Sequence, residues 1–75
     1  MKKEIFDLLN EFEGILQVSD LGIVISGTRI DYLRLNYMGD VEFWAGNPDE
    51  DDYAEEIILN DKQEEDVFTE ILEIY

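Results

Sequence analysis

Cysteine and histidine are absent from this chain of 75 residues, and proline occurs only once. Without cysteine the chain has no disulfides, no thiolate nucleophile and no zinc site of the usual kind. Without histidine it lacks the commonest general base, so nucleophilic triads are excluded as well. No apolar stretch is long enough to span a bilayer. These absences weigh against most hydrolases, redox proteins and membrane proteins.

Basic residues are also scarce. Five lysines and arginines stand against twenty aspartates and glutamates, which gives a formal net charge of −15. The acids are concentrated toward the end of the chain, where the residues from Asp49 onward include Lys62 as their only cation. Such a field weakens the compact state through self-repulsion, attracts cationic partners and repels nucleic acid and anionic membranes. We therefore expect a basic protein partner, with no direct binding to nucleic acid or to membranes.

Hydrophobic residues nevertheless make up 45% of the chain, and nine residues are aromatic. An acidic disordered tail lacks this much apolar area, so the chain is expected to fold. Its length allows a single domain, residues 1–75, with a small core. The acids Glu4 and Asp7 interrupt the basic start and no apolar segment follows, so no signal peptide is expected. The sequence favours a cytoplasmic protein.

The first segment has helical periodicity. Its apolar residues recur at steps of three and four: Ile5, Leu8, Leu9, Phe12 and Leu16. The acids Glu4, Asp7 and Glu11 lie on the opposite side, which is typical of an amphipathic helix. Gly14 is the predicted C′ residue that ends this helix.

Three segments in the middle of the chain, residues 22–26, 30–37 and 41–45, are rich in β-branched and aromatic residues. The separators 26–28 and 38–40 each contain a glycine, and such short separators indicate tight turns. The pattern predicts a three-stranded antiparallel meander.

The third of these segments alternates strictly. Because side chains along a strand point to opposite faces in turn, Val41, Phe43 and Ala45 share one face and Trp44 lies on the other. We expect the first three to face the core. Trp44 is then a candidate for contact with a partner or with a second copy of the chain, and both a monomer and a homodimer stay open.

The C-terminal third begins with a turn and an acidic run, residues 46–52. Residues 53–60 fit either a fourth strand or a short helix, and we favour the strand. Residues 61–75 form the clearest helix, with Asp61 as the predicted N-cap and Glu64 as its capping-box partner. Its apolar stripe consists of Val67, Phe68, Ile71, Leu72 and Tyr75. The predicted fold is α+β, with an N-terminal helix, a three- or four-stranded antiparallel sheet, and a C-terminal helix packed on one face.

The acidic run does not have the spacing of a calcium loop, which needs acids at alternate positions and a central glycine. Residues 49–52 are contiguous acids, and Tyr53 stands where that glycine would be. Paired carboxylates also serve glycosidases, but those enzymes need a cleft for which so short a chain has little wall. No glycine-rich phosphate loop is present. We expect no enzyme activity, no catalytic residue, no metal site and no cofactor.

The excess of acid has a physical explanation in the imitation of nucleic acid. Solubility of a small domain needs a net charge of only about 2 to 8 in magnitude. A helix face places carboxylates at steps of three and four, about 5 to 6 Å apart, which approaches the spacing of phosphates along one strand. The candidate partner-binding residues are acids of the C-terminal part together with two aromatic residues: Trp44, Asp49, Glu50, Asp51, Asp52, Tyr53, Glu55, Glu56, Asp66, Glu70 and Glu73. They predict an inhibitor that blocks the basic nucleic-acid-binding site of another protein, such as a nuclease.

In size, charge and element order the whole chain resembles the small, acidic, cysteine-free anti-defence proteins of phages and mobile elements. It is most similar to the anti-CRISPR proteins directed at Cas9, which fold as a helix, a three-stranded antiparallel sheet and a further helix. The resemblance implies occupation of a PAM-reading site by DNA mimicry, and a host-cell cytoplasmic location. Inhibitors of restriction enzymes and of uracil glycosylase are similar in the same features. The resemblance assigns no individual binding residue, because no residue motif is shared.

Two other interpretations use the same physics. An immunity protein or antitoxin would neutralise a basic toxin or nuclease made by the same cell, and its surface need not follow the spacing of phosphates. An acidic interaction domain would bind a partner without mimicry. An acyl carrier protein is excluded, because its carrier helix follows Asp-Ser-Leu, whereas this chain has Ser19-Asp20-Leu21 next to strands.

Overall fold

The computed structural model describes residues 1–75 and confirms the α+β fold that the sequence predicts. Two helices and six short strands follow one another along the chain. Their bounds are α1 (Lys2–Glu11), β1 (Ile15–Gln17), β2 (Val24–Ile25), β3 (Thr28–Arg29), β4 (Tyr32–Leu35), β5 (Val41–Ala45), β6 (Glu55–Ile57) and α2 (Asp61–Ile74). A short 3₁₀ helix occupies Ser19–Leu21. No helix is both long and apolar enough to cross a membrane.

Four of the strands form one antiparallel sheet in the order β1-β4-β5-β6. The β6 strand confirms the strand that we favour for residues 53–60. The other two strands, β2 and β3, form a separate hairpin. The turn of this hairpin is Ser26-Gly27, whose positive φ angles of 51° and 80° match the two-residue turns that suit twisted hairpins.

The three-stranded meander predicted for residues 22–45 is therefore wrong in detail. Residues 22–29 do not join the main sheet, and the place beside β4 is taken by β1. Leu16, which fits the helical spacing of the first segment, lies in β1 instead of α1. The periodicity continues past the end of the helix only by coincidence, since apolar residues of the following strand fall in the same register.

The end of α1 explains this change. The amide of Gly14 donates to the carbonyl of Leu9 at 2.8 Å, and the amide of Glu13 donates to that of Asn10 at 3.3 Å. This pair of bonds is a Schellman motif, in which Glu13 is the C′ residue, with φ 61°, and Gly14 follows it as C″. Gly14 thus belongs to the helix stop, as predicted, but one position later than the C′ assignment.

The start of α2 is shifted by one residue as well. Asn60, and not Asp61, is the N-cap, and its side chain accepts a hydrogen bond from the amide of Gln63 at 2.9 Å. Gln63 returns a side-chain hydrogen bond from the Asn60 amide at 3.1 Å. This capping box uses amide side chains, which leaves the carboxylates of Asp61 and Glu64 near the positive end of the helix dipole.

The core lies between one face of the sheet and the two helices. It consists of eleven buried residues, all hydrophobic: Ile5, Leu9, Leu16, Val18, Ile23, Ile30, Leu33, Phe43, Val67, Phe68 and Ile71. Phe43 of β5 packs against Phe68 of α2 with ring centroids 5.6 Å apart. Val41 and Ala45 share the face of Phe43, as alternation predicts, although both are only half-buried. Both helices pack on this inner face of the sheet, and neither helix covers the outer face.

Candidate protein-binding surface

The outer face of the sheet is the face turned away from α1 and α2. Alternation along the four strands places seven side chains on it: Ile15, Gln17, Tyr32, Arg34, Glu42, Trp44 and Glu56. The register sets two rows across the strands. One row contains the cross-strand pair of Arg34 and Glu42. The other row runs from Tyr32 through Trp44 to Glu56.

A hydrogen-bonded network holds the centre of this outer face. The Oε1 atom of Glu42 accepts hydrogen bonds from Arg34 Nε and from Trp44 Nε1, both at 2.9 Å. The other carboxylate oxygen accepts from Asn36 Nδ2 at 3.3 Å. The guanidinium carbon of Arg34 lies 5.1 Å from the centroid of the Trp44 ring, within cation–π range. The indole is thus held both at its polar atom and at its ring.

The same contacts set the charge states of this network. Burial raises the cost of ionising Glu42, but the hydrogen bonds from Trp44, Arg34 and Asn36 outweigh it and lower the pKa of that carboxyl. Burial likewise opposes the charge of Arg34, and hydrogen bonds to Glu42 and Asp49 outweigh it and raise the pKa of the guanidinium. Both groups are therefore charged near neutral pH. Glu42 keeps its charge although its side chain is only 14% exposed.

The segment between β5 and β6, residues 46–54, we call the acidic loop. It is tied to the outer face by the ion pair between Asp49 Oδ1 and Arg34 Nη1 at 3.0 Å. Inside the loop, the Asn47 side chain accepts from the Asp49 amide and the Asp51 side chain accepts from the Tyr53 amide, both at 2.9 Å. The loop therefore presents its acids from a hydrogen-bonded backbone.

Gly46 permits the tight return of the acidic loop. Its φ is 89°, and a Cβ atom there would lie 3.1 Å from Asp51 Oδ2 and 3.2 Å from Ala54 Cβ. Its amide donates to Asp31 Oδ2 at 2.8 Å, which fastens the start of the loop to the residue before β4. A side chain at this position would be strained and would displace the carboxylate of Asp51.

The structure divides the predicted partner-binding residues into two groups. Trp44 and Glu56 lie on the outer face, and the acidic loop that carries Asp49, Glu50, Asp51, Asp52 and Tyr53 adjoins it. Tyr53 is 90% exposed. Glu55, paired with Ala45, points to the opposite face at the sheet edge.

The second group is the α2 row, which comprises Asp66, Glu70 and Glu73. All three are exposed on the helix layer. Asp66 lies 3.7 Å from the ammonium of Lys62, and Asp66 and Glu70 line a groove with Val24 and Ile25 of β2. The sheet therefore lies between the α2 row and the outer face. The single continuous row that the sequence suggests is not formed.

None of the twenty acids of the chain is buried. No charged or polar residue is buried, and six of the twenty carboxylates form ion pairs within 4 Å. The other fourteen have no cation near them. No group of three or more acids converges in a way that could hold a metal ion. The acids are therefore spread over the surface.

Sequence reasoning identifies Trp44 but misses its partners Arg34, Glu42 and Asn36. A signal was present: Arg34 and Glu42 stand at polar positions of two alternating segments, each four residues from Met38 in the turn between them. Opposite charges so placed pair across a hairpin once the register is known. Comparisons with protein-family models, with curated proteins and with solved structures found no match to this chain.

Proposed function

We propose that this protein is an acidic inhibitor that binds a basic nucleic-acid-binding site on another protein and blocks it by imitating DNA. The observation that supports this most is the surface field: none of the twenty acids is buried, and fourteen of them have no cation within 4 Å. Solubility needs far less charge than this. A cationic groove evolved for phosphates would attract such a surface and release counterions on binding it.

The helix layer carries part of this field in a regular arrangement. Asp66, Glu70 and Glu73 follow one another at steps of four and three on α2. Such steps separate side chains by about 5 to 6 Å, which is comparable to the spacing of phosphates along a strand. We propose in particular that the chain is an anti-CRISPR or a related anti-defence protein, and that its target is a nuclease with a DNA-binding groove.

A second candidate function is that of an immunity protein or antitoxin for a basic toxin or nuclease. The division of the acids between the α2 row and the outer face favours it, because a surface split by the sheet need not follow the geometry of a duplex. The two candidates agree on a basic protein partner. They differ in whether DNA and this protein compete for the same site.

Competition with DNA tests the proposal. Anisotropy of a short labelled duplex would be followed while this protein is added to several purified basic proteins, among them a Cas9-type nuclease and restriction endonucleases. The salt concentration would be about 0.05 M and then about 0.15 M, across which surface charges become better screened. We expect release of DNA from several proteins at low salt and from one at the higher salt. If none of the tested proteins released DNA at low salt, the proposal would be wrong.

A further inference from the structure

The outer face of the sheet is covered by neither helix. Its two half-buried aromatic residues, Tyr32 and Trp44, lie opposite each other on β4 and β5. Two apolar side chains near β6 are also exposed. Tyr53 precedes the strand along the chain and is 90% exposed, and Ile58 follows it and is 82% exposed. Apolar area of this kind supplies the desolvated contacts that charge alone lacks.

The α2 row has a different surrounding. Asp66 and Glu70 line a groove with Val24, Ile25 and Thr69, and no aromatic side chain lines that groove. One of its three acids, Asp66, already has Lys62 near it. The α2 row therefore offers field and spacing, whereas the outer face offers charge together with aromatic contact.

The outer face is already suited to a guanidinium group, because the chain places one of its own there. Arg34 stacks on Trp44 and pairs with Glu42 and Asp49. This arrangement shows that the indole and the surrounding carboxylates fit the planar, multiply hydrogen-bonding arginine side chain. Next to it, Glu56 is the register partner of Trp44 on β6, is exposed, and has no hydrogen-bond or ion-pair partner of its own.

Charge excludes the other occupants of this face. A second copy of the chain would bring together two molecules of net charge −15, and nucleic acid or an anionic membrane would be repelled in the same way. Addition of a strand at β6 is also disfavoured, because that edge is three residues long and carries Glu55 and Glu56. Only a cationic partner gains from both the charge and the aromatic contacts.

We infer that the outer face, together with the acidic loop, is the docking surface for an arginine-rich segment of the basic partner. Guanidinium groups of that segment stack beside Trp44 and pair with Glu56 and with the exposed acids of the loop. Tyr53 and Ile58 contact the aliphatic stems. The α2 row helps to attract the partner and contributes less to the contact than the outer face does. This inference rests on the proposed function, because it names the surface by which a basic site is bound.

Two variants with the same net charge separate the surfaces. The outer-face variant combines Glu50→Gln, Asp52→Asn and Glu56→Gln, and the α2 variant combines Asp66→Asn, Glu70→Gln and Glu73→Gln. Each removes three negative charges, and the outer-face set removes no hydrogen bond or ion pair of the fold, whereas the α2 set loses only the ion pair of Asp66 with Lys62. The probe is an oligoarginine peptide, compared with oligolysine of the same length. Trp44 is the only tryptophan, so its fluorescence reports on the outer face directly.

At physiological salt we expect the outer-face variant to bind oligoarginine about tenfold more weakly than the unmodified chain, and the α2 variant about twofold more weakly. The emission of Trp44 should change on binding, and oligoarginine should bind about threefold more tightly than oligolysine because only guanidinium stacks well. An equal or larger loss in the α2 variant, or unchanged Trp44 emission at saturation, would overturn the inference and leave the proposed function standing. Absence of binding to either peptide at low salt would overturn both.

Discussion

The two faces of the four-stranded sheet differ more than any other two regions of this molecule. Neighbouring residues of β4 illustrate it: Leu33 is fully buried under the helices, and Arg34 joins a polar network on the uncovered side. On β5, Phe43 packs on Phe68 while Trp44 binds Glu42. The inner face holds the fold together, whereas the outer face carries a polar network and is covered by neither helix. The same period of two that builds the core thus also assembles the candidate site.

The largest difference between the faces should appear in stability. Leu33→Ala removes a fully buried side chain from a core of only eleven residues and should destabilise the protein by about 3 kcal/mol, a large share of the total for a domain of this size. Tyr32→Ala, one residue earlier on the outer face, should cost about 1 kcal/mol, because the ring is only half-buried. Urea unfolding followed by circular dichroism measures both. Equal losses in the free energy of unfolding would mean that the outer face stabilises the fold as much as the core does.

A second comparison lies within the outer face. Glu42→Ala leaves Trp44 Nε1, Asn36 Nδ2 and one edge of Arg34 without their acceptor, and should cost about 2 kcal/mol. Glu56→Ala on the neighbouring strand removes an exposed carboxylate without a partner, and its effect should stay within about 0.5 kcal/mol. Thermal unfolding by circular dichroism distinguishes the two variants. Similar costs would show that the network does not stabilise the face.

Salt should stabilise the protein, because the unpaired acids repel one another. Raising ionic strength from about 0.01 to 0.15 M shortens the Debye length from about 30 to 8 Å. The melting temperature should rise by about 5 °C, which corresponds to about 1 kcal/mol in a domain of this length. Scanning calorimetry in sodium chloride gives the value. A flat or falling melting temperature would mean that the acids are paired locally, against the fourteen without a cation in the structure.

The smallest effect is a dependence of the Glu42 contribution on pH. The hydrogen bonds of the network lower the pKa of Glu42 below its ordinary value of 4.5. A lowered pKa in the folded state means that its contribution is complete above pH 4.5 and is lost as the pH falls through the folded value. The stability difference between the unmodified chain and Glu42→Gln should therefore be constant from pH 7 to about 5 and narrow below pH 4.5. Urea titrations at several pH values measure it, and a difference that widens on acidification would contradict the network.

Sequence patterns predict most of the fold because the buried residues of the inner face are all hydrophobic and recur with the periods of strands and helices. Alternation places Phe43 and Trp44 on opposite faces, and the stripe containing Val67, Phe68 and Ile71 identifies α2. The errors occur where a single hydrogen-bonded motif decides the boundary. Glu13 adopts a left-handed conformation that favours glycine, so the Schellman stop is displaced by one residue. The β1 strand is not predicted, because Leu16 fits the helical spacing of the preceding segment. The amide capping box of Asn60 competes with the acidic one that the sequence suggests.

The candidate site is less predictable, because it depends on register and on layers. Arg34 meets Glu42 only because the β4–β5 turn pairs Leu35 with Val41. The acids of the loop and those of α2 are near in sequence, but the sheet separates them. A count of charges cannot reveal which acids share a surface. The structure does, and it places Trp44 and Tyr53 with the acids of the loop and not with those of α2.

The proposed function requires that these acids occupy a site that otherwise binds DNA. The most direct test is capture of partners from a bacterial lysate at about 0.15 M salt, close to physiological screening, followed by measurement of each captured protein's affinity for DNA with and without this chain. We expect to capture at least one basic nucleic-acid-binding protein that releases DNA when the chain is added and retains DNA when the outer-face variant is added at the same concentration. Specific capture of a single partner that has no nucleic-acid-binding function would contradict it.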